Sequence, residues 1–343
     1  MSRILVTGAT GRLGANLVKR LLADGHEVIG TALPNDPQQG KLTGLDVAIV
    51  HADLRDASAL RYAARGCDAV VHTAALMNDA APGVSRADFV AINVLGTFNV
   101  FDAAASEGVE RVVYVSSTAA YDVYAAKPQP LAEDAPLTPT SLYGLTKVVN
   151  ERMAEAMDFM AGLRVIMLRP NYIIAGEEVL GPWTAGVVVG CYRRYCTDPR
   201  MALYTPEMPE PWRAVEAQVK APEDLVVPRD PAGLSWRWHV CDVRDCVEAC
   251  VCALKAGPEC FGRAYNVVGP EPADWDVVVP YLAERTGRQW YEIQVPKAWR
   301  FWFDLSRARA ELGFEPRFDV RTMIDHALRI RAGEDLGIIP GAI

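Results

Sequence analysis

Thr7-Gly8-Ala9-Thr10-Gly11-Arg12-Leu13-Gly14 is the segment that most limits what this chain can become. It follows the apolar run Ile4-Leu5-Val6 and opens an amphipathic stretch, so it reads as a strand turning directly into a helix. The three glycines have separate jobs. Gly8 permits a tight turn, Gly11 lets backbone approach a pyrophosphate, and Gly14 lets helix pack on strand. The helix start then offers unpaired N–H groups and a positive dipole end to an anion. A glycine triplet also occurs in strand-to-helix turns that hold nothing, but its place at the start of a βαβ unit favours the phosphate reading. Gly8, Thr10, Gly11, Arg12, Leu13 and Gly14 are therefore the expected dinucleotide contacts.

Beyond this turn, short apolar runs alternate with amphipathic segments, the pattern of a parallel sheet covered by helices. Strands are expected at Arg3-Thr7, Glu27-Thr31, Ala48-His51, Ala69-Thr73, Arg111-Ser116, Arg164-Arg169 and Ala264-Val268. Their continuous Val and Ile content suits strands buried on both faces. Helices are expected at Gly11-Asp24, Ala57-Arg65, Arg86-Glu107, Tyr143-Met160, Arg244-Lys255, Trp275-Thr286 and Val320-Arg331. The expected class is α/β, a doubly wound parallel sheet of Rossmann type with a smaller, mostly C-terminal substrate-binding lobe. Residues 1–170, with 238–268 returning to them, make the dinucleotide-binding core. Residues 171–237 and 269–343 make the lobe, and its Pro-rich stretch 195–234 can hold only short structure.

The 343 residues are half apolar, enough for a large domain with a smaller lobe. A net charge of -8 argues against nucleic acid or anionic lipid as partner. Ile4-Leu5-Val6 is too short for a signal segment, and no stretch reads as long and apolar enough to span a bilayer, so a cytoplasmic protein is expected. Eight cysteines include Cys241, Cys246, Cys250, Cys252 and Cys260 in one region. Their spacing matches no zinc pattern, so no metal is expected and the thiols read as free, small, buried hydrophobes.

The second strand ends Gly30-Thr31-Ala32-Leu33, with no acid to meet a ribose diol. Arg12 is either a partner for a 2′-phosphate or an ordinary solvated arginine. This favours NADP over NAD. Asp53, beside Leu54, can accept from an adenine amino group or cap the next helix. Tyr143 and Lys147 stand four apart, on one face of a helix. An ammonium there would favour tyrosinate, giving an acid/base able to exchange a proton with a carbonyl or alcohol oxygen. A surface i,i+4 pair is the bland alternative. Ser116-Ser117-Thr118 ends a strand in hydroxyls, which either bind a substrate oxygen or simply cap the loop. His72, at a strand end, reads as structural.

The order of these motifs resembles the extended short-chain dehydrogenases/reductases, which include NAD-dependent epimerases and dehydratases, dihydroflavonol-type reductases and 3β-hydroxysteroid dehydrogenases. The resemblance runs from Thr7 to about Glu315. It takes in Asp53-Leu54, Val71-His72-Thr73-Ala74-Ala75, Asn93-Val94-Leu95-Gly96-Thr97, Ser116-Ser117-Thr118, Tyr143/Lys147, Arg169-Pro170-Asn171, His239-Val240-Cys241-Asp242-Val243 and Ala310-Glu311-Leu312-Gly313-Phe314-Glu315-Pro316. It implies that Thr118 is the catalytic hydroxyl with Ser117 beside it, Tyr143 the acid/base and Lys147 its partner. Ser116, Ala74 and Ala75 should border the cofactor, and Pro170 and Asn171 should lie near the nicotinamide. Asn93 is a scaffold residue. Helices Arg86-Glu107 and Tyr143-Met160 match those that form a four-helix dimer interface in many relatives, so a homodimer is expected.

Three departures narrow the expected chemistry. Ala119-Ala120 follow Thr118 where dehydratases carry an acidic pair and decarboxylating relatives a Glu. Ser235 stands where sugar-nucleotide enzymes usually place an Arg, and Arg237 is out of register. Trp183, Tyr192, Tyr195, Trp212, Trp236 and Trp238 suit an apolar or aromatic small-molecule substrate, unless they are packing. Gly30-Thr31-Ala32 is similar to NADPH-dependent carbonyl reductases of the family, although their following Arg is Leu33. The expectation is an NAD(P)-dependent oxidoreductase interconverting a secondary alcohol and a ketone. A sugar-nucleotide epimerase with tightly bound NAD is the alternative. A non-catalytic dinucleotide-binding sensor is a third reading, disfavoured by the Tyr143/Lys147 pair.

Overall fold

The computed structural model describes residues 1–78, 83–123 and 129–342. The chain runs β1 (Arg3–Thr7), α1 (Arg12–Ala23), β2 (Glu27–Ala32), β3 (Ala48–His51), α2 (Ala57–Ala64) and β4 (Ala69–His72). Next come α3 (Arg86–Val90), a π turn (Ala91–Leu95), α4 (Gly96–Ser106), β5 (Arg111–Val115), α5 (Leu142–Ala161) and β6 (Val165–Pro170). Then follow β7 (Ile173–Ile174), α6 (Ala185–Tyr195), α7 (Pro211–Glu216), β8 (Leu225–Arg229), β9 (Arg237–Trp238), β10 (Cys241–Asp242), α8 (Val243–Lys255) and β11 (Ala264–Val267). The last elements are β12 (Ala273–Asp274), α9 (Trp275–Thr286), β13 (Trp290–Gln294), α10 (Ser306–Leu312) and α11 (Val320–Arg331).

Seven strands form one parallel sheet in the order β3-β2-β1-β4-β5-β6-β11. The order reverses between β1 and β4. Chains leave these strands in opposite directions, which opens a crevice at their C-terminal ends. Thr7 and His72 pair at that point. The Thr7 hydroxyl lies 2.6 Å from His72 Nδ1, and His72 Nε2 lies 3.1 Å from the Thr97 hydroxyl. Burial pushes His72 down to about 3, so it is a neutral structural residue, as the sequence suggested. The central strands are buried but for Arg3 and Arg111 at their starts, whereas edge strand β3 is half exposed. That is why the central runs read as unbroken Val, Ile and Leu.

The segment from Arg86 to Ser106 is one continuous 21-residue helix, long and apolar enough to cross a membrane by length and composition. This corrects the expectation that no such stretch exists. Half of its most apolar window is buried, and it packs between α2 and α5 against the sheet, which accounts for its composition. Its π turn carries Asn93. The Asn93 amide accepts from Leu76 N–H and donates to Leu76 C=O, both at 2.8 Å, so it pins the loop after β4.

The stretch 195–234 holds α7 and β8, and β8 pairs in parallel with β13. The eight thiols are all free, and Cys241, Cys246, Cys250 and Cys260 are buried. Trp183, Trp236, Trp238, Trp275 and Trp299 pack edge-to-face at centroid distances of 5.1–5.7 Å between neighbouring pairs, in a cluster continuous with the core on one face of the sheet. Tyr192 and Tyr195 pack at a tilt against Trp236 and Trp299, respectively.

Candidate active site

The glycine turn is built as its sequence demands. Gly8 has φ +67°, and a Cβ there would come within 2.8 Å of Ala74 Cα. A Cβ on Gly14 would lie 2.0 Å from the Gly8 carbonyl oxygen, so α1 could not dock. Gly11 is the N-cap of α1 with no side-chain cap, and no acid sits in the first turn. An anion therefore meets a bare helix N-terminus, which fits a dinucleotide pyrophosphate.

Two cavities flank this turn. The first, about 280 Å³, is lined by Gly8, Thr10, Gly11, Thr31, Leu33, Asp36, Asp53, Leu54, Ala74 and Ala75 among others. Asp53 does not cap α2, because Asp56 does. Asp53 instead holds Arg55 in a bidentate pair that lowers its carboxyl pKa. Asp36, which sequence reasoning missed, accepts from the Thr10 hydroxyl at 2.5 Å and from Gln38 N–H at 2.9 Å. It lies beyond the end of β2, outside the strand terminus where an acid is sought.

The second cavity, about 600 Å³, is lined by Arg12, Leu13, Gly14, Ala75, Ser116, Ser117, Tyr143, Lys147, Pro170, Tyr172 and Glu178 among others. Tyr143 and Lys147 share one face of α5, with the Lys147 ammonium 5.5 Å from the Tyr143 ring centroid. Lys147 Nζ donates to the Val115 carbonyl at 2.7 Å, tying α5 to the end of β5. Burial lowers Lys147 to about 7, opposed by the Glu151 carboxylate. Burial likewise raises Tyr143 to about 12, offset by a hydrogen bond from Ser117. In the chain alone, burial therefore dominates both groups, pushing the phenol up and the ammonium down.

The hydroxyl beside Tyr143 is Ser117, not Thr118. Thr118 is buried and donates to Asn171 Oδ1 at 2.6 Å. The Asn171 amide donates to the His239 carbonyl, so its side chain braces the ends of β5 and β6 rather than facing the cavity. Ser116 also turns inward, donating to Glu151 at 2.5 Å, although it borders the cavity. Arg12 does not reach the first cavity, where a 2′-phosphate would lie. It pairs with Glu178 through Nε and Nη2 at 2.8 and 2.7 Å. Nothing local in sequence marks a partner 166 residues away. Tyr172 is another residue the sequence did not flag; it adopts φ +42° at the cavity's edge.

Residues 4–180 match the family described as the NAD dependent epimerase/dehydratase family. The chain belongs to the NAD dependent epimerase/dehydratase family. It is similar to an L-arabinose 1-dehydrogenase (NAD(P)(+)) of Haloferax volcanii, 35% identical over 190 residues, covering 52% of this chain and 70% of that one. A UDP-glucose 4-epimerase of Mycolicibacterium smegmatis is 37% identical over 158 residues, covering 43% and 49%. A crystal structure of a short-chain dehydrogenase/reductase superfamily protein from Agrobacterium tumefaciens with bound NAD aligns with TM-score 0.80 and 28% identity, covering 96% of this chain and 97% of that one. The chain spans 70% of the arabinose dehydrogenase and about half of the epimerase. As a member of this family it is an NAD(P)-dependent enzyme of the dehydrogenase, reductase and epimerase kind.

Within the family frame, two of the three departures take a new form. With Ser117 as the hydroxyl, the two following residues are Thr118 and Ala119, which still carry no carboxyl group. Ser235 is buried, and Arg237 is committed to Asp274 at 2.6 Å, so neither supplies a free cation. The third departure fails: Trp183, Tyr192, Trp236 and Trp238 are core residues, and neither they nor Tyr195 nor Trp212 lines either cavity.

The Lys147 shift has a measurable sign. Below about pH 7 the folded and unfolded chains both hold the proton; from there to the ordinary lysine value of 10.5 only the unfolded chain does. Stability contributed by this group therefore rises with pH across that window. Urea denaturation of wild type and Lys147→Met should show the wild type gaining relative stability between about pH 7 and about pH 10. A constant difference would show that Lys147 is not desolvated.

Proposed function

We propose that the chain interconverts a secondary alcohol and a ketone, with Tyr143 exchanging the proton at the substrate oxygen. The observation that carries this is the convergence of Ser117, Tyr143 and Lys147 on one cavity whose wall is the glycine turn. A nicotinamide dinucleotide supplies a hydride donor or acceptor. Its pyrophosphate would rest on the amides of Gly11, Arg12 and Leu13, with Ala74, Ala75 and Pro170 along its length. Ser117 would hold the substrate oxygen, and the Tyr143 hydroxyl would donate to it as the carbonyl is reduced. Lys147, anchored on Val115, would orient that end of α5. Residues 171–237 and 269–343 would shape the substrate side. The substrate is a small molecule, and the burial of the tryptophans withdraws the argument for an aromatic one. The epimerase alternative loses support from Ser235 and Arg237, which offer no diphosphate grip.

Dinucleotide-linked turnover with a panel of alcohols and ketones, L-arabinose included, tests this reading; no turnover in either direction would sink it. Tyr143→Phe should cut the rate by about a hundredfold or more while NADH still binds. Ser117→Ala should cost more than Thr118→Val. The reverse order would restore Thr118 as the catalytic hydroxyl.

The cofactor preference we infer is NAD, against the sequence expectation of NADP. Among the residues lining the adenosine-side cavity, Asp36 and Asp53 are acidic and none is basic. Lys41, nearby, donates to the carbonyls of Thr10 and Gly341. A 2′-phosphate there meets like charge, whereas a ribose hydroxyl meets an acceptor. Asp36→Asn should shift the NADP-to-NAD affinity ratio towards NADP by about tenfold, read by titration of both cofactors. An unchanged ratio would remove Asp36 from the discrimination.

We further propose a homodimer built on the paired helices α4 and α5. Leu95, Phe98, Leu145 and Val149 are 39–51% exposed on adjoining helices, an apolar face of the sort that marks an interface. Leu95→Glu combined with Val149→Glu should yield a monomer by light scattering. A dimer that survives both changes would place the interface elsewhere. We read the enzyme as cytoplasmic, in keeping with eight unpaired thiols.

A further inference from the structure

The Arg12–Glu178 pair joins two walls of the larger cavity. Arg12 is the first residue of α1, where the pyrophosphate would rest, and Glu178 lies in the 3-10 turn Gly176–Leu180 beyond β6. The pair is bidentate, and each side chain is about one-third exposed. Exposed ion pairs contribute little because both side chains are free to move. These two are not free. Glu178 Oε2 also accepts from Ala175 N–H at 2.8 Å, which fixes the carboxylate.

A strap of chain closes the outer side. Gly341 sits so close that a Cβ on it would lie 2.1 Å from Glu178 Oε1 and 2.8 Å from Arg12 Nε. Its carbonyl accepts from Lys41 Nζ at 2.7 Å, and the same ammonium donates to Thr10 C=O at 3.1 Å. Two residues back, Ile339 exchanges two hydrogen bonds with the Asn16 side chain of α1, at 2.8 and 2.9 Å. The guanidinium cannot swing outward without moving this strap.

We propose that Glu178 is a positioning residue that holds Arg12 across the phosphate end of the cavity, forming a clasp that slows dinucleotide release. The proposal needs a dinucleotide on α1 and no particular substrate. An anion seated on the first turn of α1 lies under the bridged side chains. Its departure requires the ion pair to part against the strap, so the clasp acts on the off-rate more than on the on-rate.

NADH fluorescence tests this without turnover. Bound NADH is displaced by excess NAD in stopped flow, and association is measured separately. Glu178→Gln should speed release by about tenfold with little change in association. Glu178→Asp should recover part of the slow release. Asn16→Ala, which frees the strap but leaves the pair, should also speed release. Added salt should accelerate release from the wild type and not from Glu178→Gln. Release from Glu178→Gln that is unchanged, or slower because Arg12 is freed to grip the phosphate, overturns the clasp. Should Glu178→Gln fail to fold, Asn16→Ala decides by the same criterion. A wild-type chain that binds no NADH overturns the cofactor reading itself, and the clasp with it.

Discussion

Arg169 and Glu151 meet beneath α5 in a bidentate pair at 2.9 and 2.6 Å, both buried. A charge pair so deep is tolerated because each nitrogen and oxygen atom in it has a hydrogen-bond partner. Ser116 donates to the carboxylate. The guanidinium also donates to the Tyr121 hydroxyl and the Glu133 carbonyl. Tyr121 in turn reaches Asn266 on β11. The network therefore ties β5, α5, β6 and β11 together at the end of the sheet where the cavity opens. Removing one partner would leave an uncompensated charge, a loss of about 3–5 kcal/mol. Glu151 lies four residues beyond Lys147, as Lys147 lies four beyond Tyr143. One face of α5 thus runs from the structural pair through the lysine to the phenol, and the position of Tyr143 inherits the rigidity of the pair.

What the sequence could show follows from what is local. Hydrophobic runs located all seven sheet strands to within a residue or two, because strands buried on both faces cannot tolerate polar breaks. The glycine turn was legible because Gly8 and Gly14 are dictated by sterics a few ångströms away. The choice between Ser117 and Thr118 was not. Neighbouring residues where a strand breaks into a turn point to different sides, and the direction of each hydroxyl depends on Asn171 and Tyr143, which lie far along the chain. The aromatics misled for a related reason. Tryptophans suit a ligand wall and a core equally well, and only the packing of Trp236 and Trp238 on Trp275 and Trp299 separates the two. Arg12 could be read as a phosphate ligand or as a solvated arginine because its partner, Glu178, belongs to a distant segment.

The two ends of the crevice differ in electrostatic character. At the end proposed for the adenosine, Asp36 and Asp53 set negative charge at the rim, while Lys41 is turned to backbone carbonyls. At the end proposed for the nicotinamide, Lys147 is buried and Tyr143 is partly buried in the cavity wall. Lys147 near 7 and Tyr143 near 12 are both pushed towards their neutral forms. A neutral phenol is a competent donor to an alkoxide, which is the stronger base. It is a poor acceptor until its own proton has left. On the proposed reading, then, the ligand-free site is protonated for reduction of a carbonyl. Oxidation of an alcohol requires the phenol to ionise first, so the two directions should differ in pH dependence, with oxidation favoured as pH rises. Burial acts on both groups at once, raising the phenol and lowering the lysine. On the proposed reading, a dinucleotide in the crevice that Gly8, Gly11 and Gly14 create would change the surroundings of both groups, so the acid/base power of Tyr143 would depend on occupancy of that crevice.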